Sequence, residues 1–169
     1  MGLNTTRIIS GEYVTLYANL TNVLSTAQRV NASYQWPMRG LTVGIGCYGG
    51  EYPFGVAVLE GYYNVQNISA GTPLDLSEPE GTGCPAIPVF SYYVFRPLSD
   101  VALATPPSGP TLKLQMNATI AVDGYWTGVA PPVPPGYAAA AFHRFGPGIY
   151  TVVAGDEWGN LVLLYFTVG

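Results

Sequence analysis

His143, in the stretch "AFHRFG", is the single histidine of this 169-residue chain, so any Ser-His-Asp relay has to run through it. No G-x-S-x-G elbow or comparable nucleophile context accompanies it, and His143 reads as a strand-end or loop residue. A blue-copper centre needs two His, a Cys and usually a Met close together near the C-terminus. One His and no Cys beyond position 84 exclude it. Paired carboxylates for glycoside hydrolysis are conceivable as Glu51 with Glu60 or as Asp156 with Glu157. Asp156 and Glu157 lie between Gly155 and Gly159, however, where acidic residues serve as turn formers. Glu78 and Glu80, on the loop "SEPEGTG", suit a solvated loop better than a weak cation site. The expectation is a non-enzyme without cofactor or metal.

Cys47 and Cys84 form an even pair 37 residues apart, with no His or further Cys at metal spacing near either. A disulfide is the economical reading, with two buried free thiols as the alternative. Closing that loop stabilises by roughly 4 kcal/mol on the chain-entropy estimate. Five of the eight asparagines, Asn4, Asn19, Asn31, Asn67 and Asn117, begin an N-x-[ST] glycan acceptor pattern. Chance predicts about one such match at this Ser and Thr content. Their places matter more than their number. In "YVTLYANL" the residues Val14, Leu16, Ala18 and Leu20 alternate with Tyr13, Thr15, Tyr17 and Asn19, so a period of two puts Asn19 on the polar face. The same alternation sets Asn31 against Val30, Ala32, Tyr34 and Trp36, and Asn117 against Leu112, Leu114, Met116, Ala118, Ile120 and Val122. Asn, Ser and Thr are also ordinary outward residues of half-buried strands, and that reading stays open.

Composition agrees with export. Charged residues make up 9% of the chain, against roughly 25% in ordinary soluble domains, while Gly (21), Pro (15) and Tyr (13) are abundant. The net charge is -4, and full protonation of the carboxylates leaves only six Lys/Arg and His143 to repel one another. That balance suits an acidic exterior, although a low-charge lineage would look the same. One Lys and five scattered Arg make nucleic acid a poor partner. The apolar runs are too short to span a bilayer as a helix. The opening "MGLNTTRIIS" has no basic segment followed by an apolar one, so the expectation is a mature ectodomain whose signal peptide or anchor was removed, tied to a membrane only through that anchor.

The elements that must carry these residues are strands. Short apolar segments separated by Gly and Pro are expected near 12 to 20, 28 to 36, 41 to 47, 54 to 63, 89 to 95, 98 to 104, 111 to 122, 137 to 145, 149 to 154 and 161 to 168. Helical spacing never persists beyond one turn. The closing stretch, "GIYTVVAGDEWGNLVLLYFTVG", reads as a hairpin of two central strands reversing at Asp156-Glu157-Trp158. "ATPPSGPT" and "VAPPVPPGY" favour extended polyproline geometry. The expectation is a single all-β domain over residues 1–169, a two-layer antiparallel β-sandwich with an elaborated insertion around 48–90.

The stretch "GPGIYTVVAGDEWGN" resembles the F strand and F–G turn of immunoglobulin-like domains of bacterial and archaeal surface proteins, which often read G-x-Y-T-V before a D-x-x-G-N turn. That resemblance covers about 25 residues and implies that Tyr150 is a tyrosine corner, its hydroxyl bonded to backbone upstream. More loosely, the chain is similar to small secreted β-proteins of thermophilic archaea in its acceptor sites, Tyr and Pro richness and scarcity of Lys. It departs from antibody-type domains because no Cys follows Tyr150.

Tyr48, Tyr52, Tyr62, Tyr63, Tyr92, Tyr93, Tyr125, Trp126 and Tyr137 fall in or beside expected loops, where exposed rings bind sugars or proteins; they also suit plain strand surface. The expected function is a non-catalytic extracellular or cell-surface glycoprotein domain for adhesion or assembly, with other surface proteins, glycans or further copies of itself as partners. Two alternatives stand beside it. One is a filament subunit whose segment "LNTTRIIS" completes a neighbour's sheet. The other is an accessory or substrate-binding ectodomain of a membrane redox complex or secreted hydrolase.

Overall fold

A computed structural model describes residues 1–20, 22–33, 35–41, 53–76, 91–95 and 116–169. They are built mostly of strands in several open sheets, an all-β architecture. In chain order the strands are β1 (Gly2–Leu3), β2 (Arg7–Ile8), β3 (Val14–Leu20), β4 (Gln28–Asn31), β5 (Phe54–Glu60), β6 (Tyr92–Phe95), β7 (Met116–Val122), β8 (Gly124–Thr127), β9 (Ala141–Arg144), β10 (Gly148–Asp156) and β11 (Leu161–Val168). The single helical element among the described residues is a 3-10 turn, Ile68–Ala70. One sheet runs β1-β3-β7 and a second runs β2-β11-β10-β5; β4-β6 and β8-β9 form two-stranded ribbons. Every pairing is antiparallel except that of β2 with β11.

The period-two pattern explains the first core. Val14 and Leu16 of β3 and Val122 of β7 pack in one cluster with Val56 and Val58 of β5, Tyr150 and Val152 of β10, and Phe166 and Val168 of β11. Register enforces the sorting, because Val14 stands opposite Val122 and Leu16 opposite Ile120, while Thr15 and Tyr17 fall in the other row. At the centre Tyr150 stacks on its cross-strand partner Phe166 with ring centroids 5.0 Å apart, and Phe145 closes in at 4.9 Å.

A second core lies on the opposite face of the four-stranded sheet. Val153 and Leu59 meet Met38 and Ile68 there, with Leu41, Tyr63, Leu161 and Leu163 packed around them. Val152 and Val153 are thus both fully buried although they point to opposite faces. Each contributes roughly 1.5 to 3 kcal/mol by leaving water. Thr151 is the polar residue in this row, and its hydroxyl donates to the Gly61 carbonyl at 2.7 Å while accepting from the Tyr63 N–H at 2.9 Å. The segment covering this face can lie so close because Gly55 and Gly155 face each other across β5 and β10. A Cβ on Gly55 would sit 2.7 Å from the Leu41 carbonyl carbon, and one on Gly155 2.7 Å from Pro37 Cγ.

Several expectations need correction. β5 falls inside the 48–90 stretch expected as an insertion, yet all seven of its residues pair with β10, from Phe54 opposite Asp156 to Glu60 opposite Tyr150. Its continuous apolar run is the mark of a strand buried on both faces. The strand expected over 28–36 ends at Asn31, and that over 137–145 narrows to Ala141–Arg144. β10 is buried on both faces, but β11, flanked on its far side by two-residue β2, is only half-buried. The strand expected at 41–47 lies outside the described residues except for Leu41, and that at 98–104 lies wholly outside them.

The Tyr150 hydroxyl donates to the carbonyl of Gly146 at 3.0 Å. Burial, and next the charge of Glu60, hold this phenol above its ordinary value of 10.0. The unfolded chain releases the proton first, so this contribution to stability is complete below about pH 10 and is lost as the pH climbs through the folded value. Urea unfolding measured between about pH 9 and about pH 11 will show a steeper loss of stability for the native chain than for Tyr150→Phe. Gly55→Ala will lower stability by about 1 to 3 kcal/mol, read as a drop in denaturation midpoint.

Candidate functional site

The β8–β9 ribbon carries Tyr125, Trp126 and Phe142 on two short strands. Its register sets Gly124 opposite Arg144, Tyr125 opposite His143, Trp126 opposite Phe142 and Thr127 opposite Ala141. Alternation then gives the ribbon two unlike faces. Tyr125 packs against the first core and lies 6.3 Å from the Phe145 ring. On that same row His143 sits 5.6 Å from the Tyr125 ring, and its Nε2 is 2.8 Å from the Thr127 hydroxyl. The other row carries Trp126 and Phe142, with ring centroids 5.3 Å apart and planes crossed at 63°. A Cβ on Gly124 would run into the Phe142 ring, so this glycine is the floor on which the phenylalanine rests.

The ribbon is fixed to the main sheet rather than hanging from it. The Trp126 N–H donates to the Asp75 carbonyl at 2.7 Å, and one residue earlier the Leu74 N–H donates to Val58 of β5 at 2.9 Å. Residues 73–75 thereby bridge β5 to β8. Beyond the ribbon, the Val129 N–H bonds the Ala138 carbonyl at 3.0 Å and the Ala140 N–H bonds the Val129 carbonyl at 3.1 Å, closing the neck of a proline-rich loop. Residues 131–139 of that loop are all exposed, Tyr137 by 63%. Phe142 is 42% exposed and Trp126 half-buried.

The remaining aromatic candidates do not join this patch. Tyr62 stacks on Tyr165 at 5.0 Å, Tyr63 belongs to the second core, and Tyr92 lies under the Arg29 guanidinium at 3.8 Å. Tyr93 is fully buried, and Tyr48 and Tyr52 lie outside the described residues. Sequence reasoning missed Phe142. Its signal was the short "AFHR" segment, which becomes informative only when paired with "GYWT".

The carboxylates take structural posts. Glu157 is 1% exposed; its Oε1 accepts the Ser33 N–H and its Oε2 the Tyr93 hydroxyl, each at 2.8 Å. Its backbone N–H donates to Pro53 at 2.8 Å and its carbonyl accepts from Gln35 at 2.7 Å. Asp156 accepts the N–H groups of Trp158 and Asn160 through Oδ1 and the Asn160 side-chain amide through Oδ2, closing the turn. Both acids are buried. Glu60 is exposed at the end of β5, and Glu51, Glu78 and Glu80 lie outside the described residues. Among the described residues no group of three or more His, Cys, Asp and Glu is placed to hold a metal ion. A concavity of about 470 Å³ lies beside Trp36, Met38, Arg39, Gly40 and Leu41, with Arg39 the single charged residue among these wall residues.

Among the acceptor asparagines, Asn4, Asn31 and Asn67 are exposed. Asn4 Oδ1 accepts the Thr15 N–H and Asn67 Oδ1 the Asn64 N–H, both at 2.7 Å. Asn31 stands opposite Tyr92, and its carbonyl accepts the Trp158 indole N–H at 2.8 Å. Asn19 stands directly opposite Asn117 across β3 and β7, in the row shared by Tyr17; the side chains of both lie outside the described residues. Cys47 and Cys84 also lie outside them.

No family model matches the sequence, and the curated proteins and the solved structures hold no match to it either. Tyr93→Phe keeps the ring and removes the donor to Glu157 Oε2, leaving a buried carboxylate oxygen unsatisfied. The expected loss is about 1 to 3 kcal/mol, measured by chemical denaturation, with no change in strand content by circular dichroism.

Proposed function

We propose that this chain is a non-catalytic extracytoplasmic glycoprotein domain, an immunoglobulin-like β-sandwich that works by contact in adhesion or assembly at a cell surface. The sandwich reading draws on the strand orders β1-β3-β7 and β2-β11-β10-β5, whose inner residues share one apolar cluster. The immunoglobulin-like reading adds the Tyr150 hydroxyl bound to the Gly146 carbonyl, in the manner of a tyrosine corner. Export would also make Cys47 and Cys84 a disulfide pair.

The observation that carries the proposal is the setting of the acceptor asparagines. Asn4, Asn31 and Asn67 are all exposed, and in Asn4 and Asn67 the amide oxygen is occupied by a backbone N–H. That leaves the amide nitrogen, the atom a glycan joins, to the outer side. The segment offered as a donor strand is held by its own chain, with Leu3 on Leu16 of β3 and Ile8 on Val168 of β11, so donation to a neighbour requires breaking both pairings. This favours the contact-domain reading over the filament reading.

Mass spectrometry of the protein purified from its native host is expected to find glycan mass on Asn4, Asn31 and Asn67. Three unmodified asparagines would defeat the glycoprotein proposal.

A further inference from the structure

We infer that Asn19 and Asn117 form one shared glycan-attachment site, two acceptor asparagines in direct cross-strand register at which a glycan on either excludes a glycan on the other. The inference rests on the glycoprotein reading above and concerns two asparagines on which that reading does not depend.

Register and hydrogen bonding fix how close the two positions are. Asn19 of β3 stands opposite Asn117 of β7, with Tyr17 opposite Thr119 and Thr15 opposite Ala121 in the same row. The Thr15 N–H donates to the Asn4 side chain at 2.7 Å, and the Thr15 carbonyl accepts the Asn4 N–H at 3.1 Å. Both backbone groups of Thr15 are thus turned toward the β1 side of the sheet and away from β7, which makes Thr15 and Ala121 a pair without mutual hydrogen bonds. Alternation repeats that arrangement at every second residue, so it returns at Asn19 and Asn117. In such a pair the Cα atoms are about 4.5 Å apart, the closer of the two spacings in an antiparallel ladder.

The row that holds both asparagines is the outer one. Val14 and Leu16, which alternate with it, are buried in the first core, whereas Tyr13, Tyr17 and Ala121 within it are exposed. Glycan attachment is a group transfer from a sugar carried on a lipid phosphate. The bond from the anomeric carbon to the phosphate oxygen breaks, and its electron pair leaves with the lipid phosphate. The anomeric carbon joins the asparagine amide nitrogen, which gives up one proton to a base of the host's transferase. A pyranose ring is about as wide as the gap between the two strand positions, so the first sugar placed on one asparagine overhangs the other. The second amide is then screened from a sugar of its own and from the transferase that would deliver it.

The test uses the protein purified from its native host. Trypsin cuts after Arg7, Arg29, Lys113 and Arg144, so residues 8–29 carry Asn19 and residues 114–144 carry Asn117 as their single acceptor sites. Mass spectrometry of these peptides reads the occupancy of each asparagine separately. The two occupancies are expected to sum to one glycan per molecule. Replacing the more occupied asparagine, by Asn19→Gln or Asn117→Gln, should raise the occupancy of the other by about twofold or more, because the pair competes for one space. Removing its acceptor threonine instead, by Thr21→Ala or Thr119→Ala, should do the same with both asparagines in place, which separates loss of the glycan from loss of the side chain. Occupancies that sum well above one, or a partner whose occupancy rises in neither variant, overturn the inference. Asn19 and Asn117 both bare on a protein glycosylated at Asn4, Asn31 or Asn67 overturn it too, and leave the glycoprotein reading standing; five bare asparagines defeat both.

Discussion

A carboxylate with almost no access to water anchors this molecule. Burying Glu157 without donors would cost several kcal/mol, so the fold must bring N–H and O–H groups to it or leave it ionised and stranded. The donors come from far away in sequence: the backbone of Ser33, just past β4, and the phenol of Tyr93 on β6. One side chain therefore ties the turn between β10 and β11 to the β4–β6 ribbon. The adjacent Trp158 seals the junction, packing edge-on to Tyr93 at 5.7 Å and against Phe95 at 5.9 Å while its indole N–H is taken by Asn31. Any shift of the ribbon along the sheet would leave the carboxylate short of a donor, which makes register at this end a matter of electrostatics as much as of packing.

That closure allows β10 to run deep. A strand at the middle of a two-layer structure normally presents one face to the core and one to solvent, whereas β10 is buried from Tyr150 to Asp156. The second cover, from residues 36–41 and the turn at Ile68–Ala70, is thin and needs close approach. Gly55 and Gly155 provide it by having no side chains where Leu41 and Pro37 come down. Thr151 solves the opposite problem, placing a hydroxyl within the same row because the chain leaving β5 returns a carbonyl and an N–H to it.

The legible part of this architecture is the part with a period. β3 and the end of β7 announce themselves by alternation, which places Val14, Leu16 and Val122 in the core, and the β10–β11 hairpin by the length of its apolar runs. β1 and β2 are two residues each, too short for any pattern, and they exist because neighbouring strands offer edges to pair with. β8 is hidden for a related reason: "GYWT" becomes a strand only through "AFHR" across the proline-rich loop and the Asp75 carbonyl from elsewhere. Glu157 was the hardest to read. Its local setting, between Gly155 and Gly159, describes an exposed turn, and the phenol that draws it into the interior lies 64 residues away. Local chemistry stated the turn; only tertiary pairing stated the burial.

The surface follows a different logic from the interior. With 9% charged residues and a net charge of -4, the chain generates little long-range field, so encounter with a partner gains little from electrostatic steering. Specificity on the proposed reading must then reside in short-range features: the shape of the surface, its exposed apolar side chains and, where present, glycans. Such contacts are weak singly and become useful through repetition, since a surface that presents many copies converts each further contact into an intramolecular one. A ribbon whose Trp126 is bonded to the 73–75 segment alongside β5 suits that regime, because a rigid surface binds with little ordering cost. The same scarcity of charge that weakens steering also removes the desolvation cost that charged neighbours would impose on those apolar side chains.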